Sequence, residues 1–125
     1  MSRIPKDPEE IFSGIVDDYR QLFGNDLISV ILYGSAASGD YIAGKSDINF
    51  MVVVSEKGID SLDQAVDVIA KWKKRGVATP LFLTEEYVRT SLDAFPIEYL
   101  NFRNSHEPVY GKDILMPSSI LTRLL

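Results

Sequence analysis

Residues 28–54, ISVILYGSAASGDYIAGKSDINFMVVV, constrain this chain more than any other stretch. Ile28, Val30, Ile31 and Leu32 form an apolar, β-branched run, too short to cross a bilayer and the right size for a buried strand. Small residues run from Gly34-Ser35 to Gly39, and a second turn-forming cluster, Gly44-Lys45-Ser46, leads into Asp47-Ile48-Asn49. Residues 50–54 make another apolar strand. A polar tip between two apolar strands is where a binding site is expected, since strands fix geometry while loops supply chemistry. Residues two apart in a strand share a face, so Asp47 and Asn49 can converge on one cation. Glycine at 34 lets another group approach the backbone without a Cβ in the way, and Ser35 offers a hydroxyl beside it. Ala36, Ala37 and Ser38 leave room there and can open a short helix. The same residue types also build ordinary strand-to-helix turns, and a Ser-Asp pair also caps turns.

Gly34-Ser35, then Gly39, then Ser46-Asp47-x-Asn49 ahead of an apolar strand resembles the signature of the DNA polymerase beta-like nucleotidyltransferase superfamily. It is most similar to the minimal, antibiotic-nucleotidyltransferase branch. The motif occupies residues 34–54, and the pattern of helices and strands extends the resemblance over residues 8–111. The resemblance implies an α/β (α+β) fold with a mixed, twisted sheet of four or five strands and helices mainly on one face. It also implies that Gly34, Ser35, Gly39 and Ser46 hold a nucleotide, that Asp47 holds Mg²⁺, and that positions 47 and 49 are catalytic. The family's second aspartate is Asn49 here. Its third carboxylate usually lies on the neighbouring strand, which here reads Leu81-Phe82-Leu83. Glu85 and Glu86 follow as the first turn of a short helix, and Glu98 is a weaker substitute or simply an exposed strand residue. Two-metal transfer needs several carboxylates to hold two ions side by side. Asparagine keeps the shape and one carbonyl oxygen but removes a full charge, so Mg²⁺ binding is expected to be weak or vestigial.

A chain of 125 residues normally makes one domain with one core. Its apolar share of 46% and charged share of 25% are the ordinary globular balance. The net charge of −5 argues against an extended nucleic-acid partner, which needs a basic face, but leaves a small Mg-bound nucleoside triphosphate open. Nothing in the sequence has the length of a membrane span, and the first ten residues lack the apolar core of a signal peptide. With no cysteine, a reducing, cytoplasmic setting is expected.

Asp7-Pro8-Glu9-Glu10 reads as a helix start, followed by apolar residues at helical spacing from Ile11 to Phe23 and a glycine cap of left-handed type at Gly24. Residues 55–60 read as a polar loop, and Ser61 with Gln64 as a capping box for a helix ending in Lys71, Lys73, Lys74 and Arg75. That basic cluster reads as a phosphate-binding patch or, more plainly, a solvated helix end. Trp72 falls at the edge of the helix's apolar stripe. Strands are expected at 77–84 and 97–103, with a short closing strand at 108–111. His106, in a polar turn with no partner ligands nearby in sequence, reads as a solvated loop residue.

The nucleotidyltransferase-like domain is expected over residues 1–113, and residues 114–125 as an apolar tail that starts a following helical domain or meets a protein partner. Three functions compete. One is a nucleotidyltransferase-fold domain, catalytically impaired, with a residual nucleotide site. Another is an active Mg²⁺-dependent enzyme moving a nucleoside monophosphate to a hydroxyl. The third is a non-enzymatic interaction module working through the tail.

Overall fold

The computed structural model describes residues 4–94, 97 and 105–115. Asp7 opens the first helical stretch: its carboxylate accepts from the Glu9 N–H at 3.2 Å and Glu10 accepts from the Asp7 N–H at 2.8 Å. This reciprocal cap starts a 3-10 turn, Pro8–Ile11, that runs into α1, Phe12–Phe23. Ile15, Val16, Tyr19 and Phe23 recur at three- and four-residue steps and are buried together. Gly24 ends α1 at φ 56° and ψ −127°, a positive φ outside the left-handed helical region that the sequence suggested.

β1, Leu27–Tyr33, leads to the four-residue α2, Ser35–Ser38, and β2 spans Asn49–Val54. The segment read as a loop forms α3, Glu56–Ile59, because the Ser55 hydroxyl accepts from the Gly58 N–H at 3.1 Å. Ser61 makes no side-chain cap, so the capping box expected there does not form. α4, Val66–Lys73, is followed by β3, Leu81–Leu83, then α5, Glu85–Ala94, and β4, His106–Gly111. β3 is shorter than expected, with Val77 adding an isolated bridge to Ile48. Ile97 is helical rather than extended, and the rest of the expected 97–103 strand, Glu98 included, lies outside the described residues.

The strands form one mixed sheet in the order β3-β2-β1-β4, with β1 antiparallel to β2 and β4, and β2 parallel to β3. This is the mixed α+β architecture with a four-stranded sheet that the sequence implied. The end of β1 therefore meets the starts of β2, β3 and β4. On one face, α1 and α4 cover Val30, Leu32, Ile48, Phe50, Val52 and Val54. Trp72 is part of that core and 4% exposed, not at its edge, and its indole N–H donates to Asp18 at 2.8 Å. On the other face Ile31, Met51 and Val53 pack with Val88 of α5 and with Ile114 and Leu115. The first two residues of the expected tail are thus core, and residues 116–125 lie outside the described residues.

Candidate nucleotide site at the end of the sheet

Strand alternation decides what faces what at the junction of β1 and β2. Ile48 is fully buried on the α1 face, so the residues flanking it in the extended chain, Asp47 and Asn49, turn toward the opposite face. Asn49 pairs with Tyr33 across the antiparallel ladder, which sets it beside the next residue, Gly34. A Cβ built on Gly34 would lie 3.2 Å from the Asn49 side-chain nitrogen. The turn and the strand start therefore lie side by side. Gly34 has φ 80° and ψ −154°, a conformation essentially confined to glycine.

The loop from Gly34 to Asp47 divides its polar groups in two. One set braces the loop. Gly34 O accepts from the Ala37 and Ser38 N–H groups, and Gly34 N–H donates to Ser105 O at 3.3 Å. Ser38 Oγ donates to Asp40 at 3.0 Å, Ser46 Oγ accepts from the Ile42 N–H at 3.0 Å, and Tyr41 donates to Pro5 O at 2.7 Å. Gly39, at φ 89°, ends α2 as a left-handed cap. The other set is free: among the described residues the Ser35 hydroxyl, the Lys45 ammonium, the Asp47 carboxylate and the Asn49 amide make no side-chain hydrogen bond or ion pair. Of the residues expected to hold nucleotide, Gly34 lies against Asn49, Gly39 caps α2, and Ser46 braces the turn at 42–46.

Two further groups at this end were not anticipated. Tyr33 lies between Asn49 and His106 in ladder register, and burial raises its phenol pKa above the usual tyrosine value. His106 is a strand residue with a side chain only 6% exposed, and its Nε2 lies 2.8 Å from Oδ2 of Asp113. The expectation of a solvated loop histidine is corrected: β4 starts at 106, not 108, so the ring enters the sheet. The signal available in the sequence was the extended-compatible run from His106 to Tyr110, interrupted only by Pro108 at a sheet edge.

The donor set does not fit a two-ion centre. Asp47 supplies one exposed carboxylate and Asn49 a neutral amide, and among the described residues no group of three His, Asp or Glu is placed to hold a metal. β3 carries no acid, and the acids that follow it are engaged elsewhere: Glu85 with Lys112 at 2.8 Å, Glu86 with Arg89.

A solved structure shares this architecture. It is a crystal structure of a toxin–antitoxin with AMP-PNP, similar at a TM-score of 0.55 and 12% identity over 89% of this chain and 85% of that one. No protein-family model matches the chain, and no curated protein does. At this identity the likeness speaks for the fold alone.

Away from this end, a groove between the last turn of α1, Asn25 and Tyr110 lies at the far end of β1. The Arg20 guanidinium stacks over the Tyr110 ring there, 5.3 Å from its centroid. None of the motif residues lines it.

Proposed function

We propose that this is a nucleotidyltransferase-fold domain that binds a nucleoside triphosphate where β1 meets β2 and does not transfer its nucleotidyl group. The observation that carries this reading is the contact between the Gly34 turn and Asn49: the residue facing the turn is a neutral amide at the place where a second carboxylate would bridge two ions. Gly34 and Ser35 hold phosphate in this reading, and Asp47 is the carboxylate left to meet a phosphate-bound Mg²⁺, which therefore contributes weakly. The AMP-PNP in the structurally similar toxin–antitoxin is in keeping with a nucleotide ligand. Losing one ligand of a reactive metal costs several kcal/mol of transition-state stabilisation, and each 1.36 kcal/mol is tenfold in rate. Transfer is thus expected to be many orders of magnitude slower than in a chain with a full set of acids.

The test pairs binding with turnover. Titrating ATP into the protein by calorimetry should give a dissociation constant in the micromolar to millimolar range, while labelled ATP should leave no covalent nucleotide on candidate hydroxyl acceptors. Turnover at ordinary enzyme rates overturns the impaired reading, and absence of binding up to millimolar nucleotide overturns the nucleotide site.

A further inference from the structure

Resting on that nucleotide reading, we propose that the triphosphate binds without requiring a divalent cation, held directly by uncharged and cationic donors of the chain. Between residues 34 and 49 the charged side chains are Asp40, Lys45 and Asp47, so the stretch carries a net charge of only −1. Asp40 is occupied as acceptor of the Ser38 hydroxyl. The groups left unpaired are the Ser35 hydroxyl and the Asn49 amide, both half-buried, and Lys45 and Asp47, both exposed.

A site with two or three converging carboxylates repels a polyphosphate until a metal ion neutralises both partners, which makes the cation obligatory. Here the acid facing the turn is replaced by an amide, and an amide can donate to a phosphate oxygen as well as accept. Asp47 remains, two residues after an exposed ammonium that has no ion pair among the described residues. The electrostatic reason for the metal is therefore largely gone, and the residue that removed it has become a ligand for the anion.

Isothermal titration of ATP into the intact chain, once in excess EDTA and once in millimolar Mg²⁺, reads this directly. The expected result is two dissociation constants within about threefold of each other. The variant Asn49→Asp keeps the side chain's shape and should restore the demand for metal: its affinity in EDTA should fall tenfold or more and recover in Mg²⁺ or Mn²⁺. Wild-type binding seen only with metal overturns the inference and leaves the nucleotide reading standing. Binding in neither condition overturns both. Because the wild-type comparison needs no substitution, the inference stays falsifiable if Asn49→Asp folds poorly, which its unliganded melting temperature reports.

Discussion

Tyr19 shows how one atom can lower the stability of an otherwise well-filled core. Its ring stacks on Phe23 and meets Phe82 edge-on, with no exposed surface. Its hydroxyl is buried without a hydrogen-bond partner among the described residues. A buried hydroxyl left unsatisfied costs about 1–3 kcal/mol. Tyr19→Phe removes the cost and keeps the rings, so urea denaturation should find the variant as stable as wild type or more stable by about 1 kcal/mol. The same burial, and secondarily the Asp18 charge, raises the Tyr19 pKa above its ordinary value of 10. The folded-state pKa then exceeds the unfolded one, so the neutral phenol's contribution is complete below pH 10 and is lost as pH rises past it. Denaturation midpoints measured between pH 9 and 11 should fall less for Tyr19→Phe than for wild type. The sequence placed Tyr19 on the buried stripe of α1; it gave no means of knowing that its hydroxyl would lack a partner, since partners come from other elements.

At the scale of elements, the segment after β4 is what the sequence conceals most. Residues 112–115 cross the second face of the sheet and are tied to three different elements. The fully buried Ser29 hydroxyl of β1 donates to Lys112 O at 2.5 Å, Lys112 pairs with Glu85 of α5 at 2.8 Å, and His106 of β4 meets Asp113. Asp113 also accepts from the Leu115 N–H at 3.1 Å, and Ile114 and Leu115 then fill the second core at 3% and 2% exposure. Asp113 thus holds both a nearly buried imidazole and a backbone turn. Asp113→Ala should cost about 1–3 kcal/mol by removing both oxygens, and Asp113→Asn less, since its amide oxygen keeps one of the two contacts. Chemical denaturation of the two variants beside wild type makes that comparison. Local signals explain what was legible. β1 and β2 show in their apolar runs, and Asp7-Pro8-Glu9-Glu10 names its own cap. The segment was illegible because Lys112 meets Ser29 and Glu85 through long-range contacts that no spacing encodes. The helix capped by Ser55 was read as a loop because residues 55–60 are polar, and its Gly58 packs so closely on Val54 that a Cβ would come within 2.8 Å.

For the molecule as a whole, the sheet order brings separate motif residues to one end. Antiparallel pairing of β1 with both β2 and β4 brings the Gly34 turn, the Asp47–Asn49 approach and His106 to one end, and leaves the Arg20–Tyr110 groove at the other. No helix among the described residues is long and apolar enough to cross a membrane. The motif's spacing made the junction of Gly34 with Asn49 foreseeable, because a ladder that pairs Tyr33 with Asn49 leaves little choice. Which loop hydroxyls remain free was not foreseeable: Ser35 and Ser46 look alike in sequence, and only the turn at 42–46 consumes one of them. The most direct measurement is a backbone amide NMR titration of the isotopically labelled chain with ATP. The account expects the largest shifts at Gly34, Ser35 and residues 47–49. Shifts confined to Arg20, Asn25, Leu27 and Tyr110, at the opposite end of β1, would contradict it.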